Sequence, residues 1–192
     1  IMQIYAKYGY NEFYVALGYK GEVIKKFFSN FKTKWNINLI DTGVNTMTGG
    51  RIKRLKDYIG NETFMLTYGD GLSNVNIKKL VNFHKKHKKI GTLTAVRPPA
   101  RFGAIRINGN RIKYFKEKSK LDVGWIIGGF FVFDSKIFEF IKGDNTYLER
   151  EPLQNIGKKG ELYAFKYGGF WQCMDTIRDK QIIEESLRKK KL

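Results

Sequence analysis

Short apolar runs alternate with amphipathic stretches through the first half of the chain. Residues 13–17 (Phe-Tyr-Val-Ala-Leu) are rich in β-formers and close on Gly18, as a buried parallel strand would. Residues 22–31 have helical spacing, which predicts a helix that turns Val23, Ile24, Phe27 and Phe28 inward. Residues 37–40 read as a second strand ended by Asp41-Thr42-Gly43. Gly49 and Gly50 then introduce a basic amphipathic helix over 51–59. A third strand, 63–67, runs into Tyr68-Gly69-Asp70-Gly71, a helix follows over 75–86, and a fourth strand covers 92–96. Pro98-Pro99 forces extended or turn backbone after it. This alternation predicts an α/β fold, a Rossmann-like, mostly parallel sheet covered by helices.

Beyond Arg101 the texture changes. Residues 104–107 and 111–116 flank Gly109-Asn110 and read as a β-hairpin. Residues 126–133 form a very apolar strand interrupted by Gly128-Gly129. A short helix is expected over 137–141, a strand over 162–166, a loop from Trp171 to Asp175 and a helix over 177–191. The sheet is therefore mixed, with a parallel half and a more antiparallel half. Ile1, Ile4, Tyr5 and Tyr8 have helical spacing with Gly9 as the stop, so the chain opens in mid-helix. The expectation is one domain over 1–192, incomplete at its N-terminus.

Composition narrows the function classes. Of 192 residues, 42% are hydrophobic and 15% aromatic, enough for a packed core, and charged residues at 28% do not favour disorder. The single cysteine, Cys173, excludes an intrachain disulfide framework and a four-cysteine zinc site. His84 and His87 alone cannot build a histidine-rich metal centre. No apolar run approaches the roughly 18–20 residues of a membrane span, and the opening residues, with no basic n-region or cleavage site, are not expected to be a signal peptide. The net charge of +18 invites polyanions. Yet the lysines are scattered apart from clusters at 85–89 and 188–191, and no recognition-helix or aromatic-basic pattern appears. A solvated lysine-rich surface, with His84 and His87 solvated among the lysines, is the expected reading.

Ligands of open parallel sheets gather beyond the carboxyl ends of the strands. Asp70, flanked there by Gly69 and Gly71, suits Mg²⁺, which takes one or two protein carboxylates and completes its shell with water and phosphate oxygens. The same triplet also makes ordinary turns. Thr46-Met47-Thr48-Gly49-Gly50-Arg51 offers hydroxyls, glycine amides and a guanidinium to an anion or a base edge. Helix capping by Thr48, with Arg51 solvated, explains it equally well. Phe115-Lys116-Glu117-Lys118 could hold a sugar hydroxyl and a phosphate, or form a surface ion pair. Asp175 is expected either to cap the helix that follows or to be a second metal ligand. Cys173, among aromatics, is expected to be buried and inert.

Gly18-Tyr19-Lys20-Gly21, Asp41-Thr42-Gly43, Met47-Thr48-Gly49-Gly50-Arg51, Thr67-Tyr68-Gly69-Asp70-Gly71, Arg101-Phe102-Gly103, Phe115-Lys116-Glu117-Lys118, Gly128-Gly129-Phe130-Phe131-Val132 and Phe170-Trp171-Gln172-Cys173-Met174-Asp175-Thr176 occur in order over nearly the whole chain. Together they closely resemble the glucose-1-phosphate cytidylyltransferases, a family of sugar-phosphate nucleotidyltransferases. The resemblance implies a nucleotide-diphospho-sugar transferase type of fold. It implies formation of CDP-glucose and pyrophosphate from CTP and α-D-glucose 1-phosphate by Mg²⁺-dependent in-line attack. It also implies a homo-oligomer and a place in making deoxysugars for surface polysaccharide such as lipopolysaccharide O-antigen, while a cytoplasmic location is expected from the lack of a recognisable targeting segment and the need for CTP. By the same resemblance Asp70 and Asp175 match metal-binding aspartates, and Asp70 and Lys118 are the catalytic positions. Thr46, Gly50 and Arg51 match nucleotide contacts, Gly69 borders the metal, Glu117 and Lys118 match sugar and sugar-phosphate contacts, and Gly103 and Gly129 line the sugar pocket.

The chain departs from that pattern in four places. The family's opening Gly-Gly-x-Gly-Thr-Arg phosphate loop and following Lys-Pro segment are not in these residues, which predicts impaired catalysis by residues 1–192 alone. The stretch between Phe28 and Trp35 is shorter than the family's. Ser119 stands where proline is usual, and Ile127 where asparagine is usual. Two other readings stand beside the leading one. One is a paralogue for another sugar phosphate or nucleotide. The other is a non-catalytic basic binding domain, with nucleic acid an unlikely partner. A glycosyltransferase ranks below these, because no Asp-x-Asp surrounds Asp70.

Overall fold

A computed structural model of the chain describes residues 1–99, 104–116 and 124–189. Helix α1 (Met2–Ala6) leads to strand β1 (Glu12–Leu17), helix α2 (Gly21–Ser29) and strand β2 (Asn36–Asp41). The two strands pair in parallel, Glu12 opposite Asn36 through Leu17 opposite Asp41, which requires the crossover that α2 supplies. Helices α3 (Thr48–Arg54) and α4 (Lys56–Ile59) follow, then β3 (Phe64–Thr67), β4 (Gly71–Ser73), α5 (Ile77–His87) and β5 (Gly91–Val96). The hairpin expected from Gly109-Asn110 is present as β6 (Ala104–Asn108) and β7 (Arg111–Lys116), antiparallel, with Ala104 opposite Lys116. The remainder is β8 (Ile126–Phe133), a 3₁₀ helix (Ser135–Phe140), α6 (Glu151–Lys158), β9 (Leu162–Tyr167), β10 (Trp171–Cys173) and α7 (Ile177–Arg188).

A four-stranded sheet has the order β3-β8-β5-β9, and β10 pairs with β4. The apolar run of β8 occupies an inner position, and Phe130, Phe131, Val132 and Phe133 are fully buried. That position explains why its sequence is apolar on both faces instead of alternating. The fold is the mixed α/β architecture the alternation predicts.

The chain divides into two compact units, one of Ile1–Leu66, Ile77–Thr92 and Phe131–Tyr163, the other of Thr67–Asn76, Leu93–Phe130 and Ala164–Leu192. In the first, Phe64 packs on Phe133 and stacks on Phe138, with ring centroids 5.9 and 5.5 Å apart. Helix α3 is tied down at its start: the Met47 N–H donates to the Asp144 carbonyl at 2.8 Å, and the Gly49 and Gly50 N–H groups donate to the Thr146 carbonyl at 2.9 and 3.2 Å.

Four expectations are corrected. Residues 51–59 form two short helices, because the chain turns at Leu55. Residues 171–173 are strand, not loop, since they find a partner in β4. Helix α6 was not anticipated, although Pro152 in its first turn and the Leu153/Ile156 spacing are a fair signal. The fourth is α2, whose apolar residues share one face as expected, but Val23 and Phe27 lie 58% and 60% exposed. Hydrophobic spacing fixes which side chains share a helix face and leaves open what covers that face. Here Phe27, Phe28, Phe31 and Trp35 make an aromatic cluster among themselves, and Phe27 and Phe31 stay exposed.

The histidines are corrected too. Ile77, Leu80, Val81 and His84 recur at helical spacing and form the buried face of α5, so His84 lies in the core while the neighbouring lysines 85, 86 and 88 stay outside. His84 Nδ1 and His87 Nε2 both hydrogen-bond the buried Thr92 hydroxyl, at 2.9 and 2.7 Å, and the His87 ring stacks on Tyr163. Burial, with His87 nearby and against the attraction of Asp134, holds the His84 pKa down to about 4. Burial and Lys89, opposed by Glu161, lower that of His87 as well. The Lys89 N–H donates to His87 Nδ1 at 3.0 Å, so His87 donates from Nε2 to the Thr92 hydroxyl, which donates on to His84 Nδ1; a proton on His84 Nδ1 would displace that donor.

The pH dependence follows. The unfolded chain takes up these protons first, near the ordinary histidine pKa, so this contribution is complete above about pH 6.5 and is lost as the pH falls toward 4. The lowered carboxylates of Asp144, Glu151 and Glu161 act at more acid pH. The urea midpoint is expected to fall between pH 7 and pH 5, and His84→Gln is expected to flatten that slope. Parallel slopes for the two proteins would contradict this assignment.

Candidate active site

In the second unit the chain leaves Thr67, passes through Tyr68-Gly69-Asp70 and enters β4 at Gly71. Strand β10 lies antiparallel to β4, with Trp171 opposite Ser73 and Cys173 opposite Gly71. The ladder therefore ends with Asp70 beside Met174, and the Met174 N–H donates to the Asp70 carbonyl at 2.9 Å. Asp175 is the next residue. Both aspartates are exposed, so neither carboxylate bears the cost of burying a charge.

The segment carrying Asp175 is braced on both sides. Thr176 caps α7, accepting the Asp179 N–H at 3.2 Å, while the Asp179 carboxylate accepts the Thr176 N–H at 3.0 Å, a complete capping box. Buried Gln172 donates to the same Asp179 carboxylate at 2.9 Å. The Cys173 thiol donates to Asp175 at 3.2 Å. At the other end of β10, Asn74 accepts the Phe170 N–H at 3.0 Å and the Tyr167 hydroxyl, and the Ser73 hydroxyl donates to the Phe170 carbonyl at 2.8 Å.

Beside Asp70 opens a cleft of about 150 Å³. Tyr68, Ile127 and Trp171 give it apolar walls, and Gly71, Gly128, Gly129 and Cys173 complete the lining. Gly129 has φ +75°, and a β-carbon there would meet the Tyr68 ring at 3.0 Å. A β-carbon on Gly128 would lie 2.8 Å from Val96 Cγ1. Both positions thus require glycine, one for conformation and one for space.

The first unit carries Thr46, Gly50 and Arg51. The Arg51 guanidinium donates to the Leu17 carbonyl at 3.0 Å, the Thr42 hydroxyl at 2.8 Å and the Val44 carbonyl at 3.3 Å. It lies flat on Gly18, where a β-carbon would collide with it. Arg51 thereby knots the ends of β1 and β2 to the loop after Thr42. Thr46 is buried, its hydroxyl against Gly43.

Residues 2–170 match the nucleotidyl transferase family model. Glucose-1-phosphate cytidylyltransferase of Salmonella typhimurium is 42% identical over 207 residues, covering 96% of this chain and 80% of that protein. The enzyme of the same name in Salmonella typhi gives the same values. The crystal structure of HddC from Yersinia pseudotuberculosis, 20% identical, superposes with a TM-score of 0.75 over 97% of this chain and 83% of its own. The chain belongs to the nucleotidyl transferase family.

In this nucleotidyl transferase the ladder end and cleft bring Asp70, Gly129 and the Asp175 segment together within the second unit, and Gly69 adjoins Asp70. Gly103, Glu117 and Lys118 lie outside the described residues. Thr176, not Asp175, caps α7, which frees Asp175 from that duty. Thr48 does not cap α3 either. Its hydroxyl donates to Glu149 at 2.7 Å and accepts the Leu148 N–H at 2.9 Å. The amides of Gly49 and Gly50 are taken by Thr146, so the start of α3 does not offer them to an anion, and Arg51 is engaged instead of solvated. Cys173 is half-buried in the cleft wall, hydrogen-bonded to Asp175, instead of fully buried. Sequence reasoning missed Trp171 as a wall of the cleft. Its signal was its place in the Phe170–Thr176 motif, to which no role for the tryptophan was attached.

Gly129→Ala puts a side chain at a left-handed backbone position against Tyr68. It is expected to cost about 1–3 kcal/mol of stability, read as a lower urea midpoint, with Gly143→Ala, which meets nothing within 4 Å, as the neutral control.

Proposed function

We propose that the chain is a glucose-1-phosphate cytidylyltransferase, forming CDP-glucose and pyrophosphate from CTP and α-D-glucose 1-phosphate. The observation that carries the site is the β4–β10 ladder end, where one backbone hydrogen bond holds Asp70 beside the Asp175 segment. The nucleotide and sugar are those named in the Salmonella relatives.

The two carboxylates supply hard, exposed oxygen donors, and a set of one or two carboxylates completed by phosphate oxygens and water fits Mg²⁺. The described residues contain no larger cluster of metal-binding side chains. When bound, the ion supplies positive charge for phosphate oxygens. An oxygen of the sugar phosphate attacks the α-phosphorus of CTP, the α–β anhydride bond breaks, and pyrophosphate leaves. No covalent enzyme intermediate is needed, so the protein's work is to position and to neutralise. Lys118 and Glu117 take the sugar phosphate and a sugar hydroxyl in this reading, with Gly103 and Gly129 lining the sugar and Gly69 giving room beside Asp70. Thr46, Gly50 and Arg51 serve the nucleotide. Arg51 does so by fixing the loop after β2, and Gly50 by letting α3 approach the 144–146 backbone.

A homo-oligomer belongs to this reading, supported by the exposed apolar face of α2. So does a cytoplasmic location, where CTP is made, and no described helix is long and apolar enough to cross a membrane. Provision of a nucleotide sugar for surface polysaccharide, O-antigen included, completes it. A second reading, the same reaction on another sugar phosphate, is favoured by Ile127, whose side chain can accept no hydroxyl at the cleft wall.

In the full-length gene product, pyrophosphate release from CTP and glucose 1-phosphate is expected to fall roughly 10²–10³-fold in Asp70→Ala and in Asp175→Ala. Ile127→Asn is expected to shift preference among sugar phosphates without abolishing turnover. Full activity in either aspartate variant would remove the carboxylate pair from the reaction.

A further inference from the structure

We infer that Trp171 is a positioning residue for the sugar phosphate, and that it fixes the Gly128-Gly129 backbone from the same strand that carries the Asp175 segment. This rests on the cytidylyltransferase reading of the cleft. The Trp171 indole N–H donates to the Gly128 carbonyl at 2.8 Å, and its ring is part of the cleft wall. The other carbonyl of the pair, that of Gly129, accepts the Tyr68 N–H at 3.0 Å. On the opposite side the Gly128 α-carbon sits so close to Val96 and the Thr94 carbonyl that no side chain fits. Glycine is the residue most free to change conformation, so a pair of them makes a well-shaped wall only where outside contacts fix it. Trp171 supplies a fixing hydrogen bond that a phenylalanine cannot.

Strand β10 is short, and both of its ends are committed. Trp171 reaches Gly128 at its start, and beyond Cys173 the Met174 N–H binds Asp70. Between them, Gln172 is buried and tied to Asp179. A displacement of the glycine pair is thus felt two hydrogen bonds away at the aspartates. Trp171 need not touch a reacting atom to matter, because its ring walls the cleft while its N–H sets the shape of the backbone opposite.

Trp171→Phe keeps an aromatic wall and removes the donor. In the full-length gene product its KM for glucose 1-phosphate is expected to rise about tenfold, the scale of one net hydrogen bond, with KM for CTP and the thermal midpoint nearly unchanged. A residue that served stability alone would lower the midpoint and leave the ratio of the two KM values where it was. A second readout does not need turnover. Of the three tryptophan indole N–H signals in a ¹⁵N-correlated spectrum, the one missing from Trp171→Phe is expected to exchange slowly with solvent and to move on addition of glucose 1-phosphate without CTP. If wild type makes CDP-glucose but Trp171→Phe has an unaltered KM for the sugar phosphate, or if the signal stays still while calorimetry records binding, the positioning role is overturned. If wild type neither makes CDP-glucose nor binds glucose 1-phosphate, the cytidylyltransferase reading fails, and this inference with it.

Discussion

The burial of one continuous apolar strand is the constraint on which the rest of the structure depends. Strand β8 has no polar face to offer water, and four of its side chains in a row, Phe130 to Phe133, are wholly excluded from solvent. A strand of that kind is stable only with partners along both edges and cover on both faces. The sheet order places β3 and β5 on either side of it. Its first residues, Ile126 and Ile127, emerge from this cover, and Gly128 and Gly129 come between. The cleft lies where the strand passes from dry core to accessible surface.

The same economy governs the acidic pair. Asp70 and Asp175 are far apart in sequence and sit on segments that are individually unremarkable, a turn and a strand end. What brings their segments together is backbone pairing, three residues of β4 against three of β10 and one further hydrogen bond, from the Met174 N–H to the Asp70 carbonyl, at the open end. So short a ladder is weak alone. The capping box at Thr176, the Gln172–Asp179 bond and the Asn74 contacts brace it at both ends. Both aspartate side chains stay exposed, so neither carboxylate is stripped of water by the fold.

The first unit uses its polar groups differently. Arg51, Thr42 and the Leu17 carbonyl form a closed network at the carboxyl ends of β1 and β2, and the helix amides that could have greeted an anion are spent on Thr146. These groups build loop shape. At the end of α5 the neighbouring lysines 85, 86 and 88 are exposed while His84 is buried against Thr92.

The alternation of apolar runs and amphipathic stretches determined the α/β class, the hairpin at Gly109-Asn110, the core strand 126–133 and the strand-end position of Asp70, because each depends on local periodicity or on a turn that only certain residues make. The ordered motifs also pointed to the nucleotidyl transferases. Tertiary structure alone decided the rest. Spacing grouped Val23, Ile24, Phe27 and Phe28 on one face but could not say that the face would stay largely open. The lysines around His84 masked a buried position that the 77-80-81-84 spacing already contained. Capping of α7 passed from Asp175 to Thr176 by one residue, a difference set by backbone angles that no pattern records. The meeting of Trp171 with Gly128, and of Met174 with Asp70, joins segments distant in the chain, and nothing in either segment names its partner. Periodicity is a local property; a site assembled across a sheet is not.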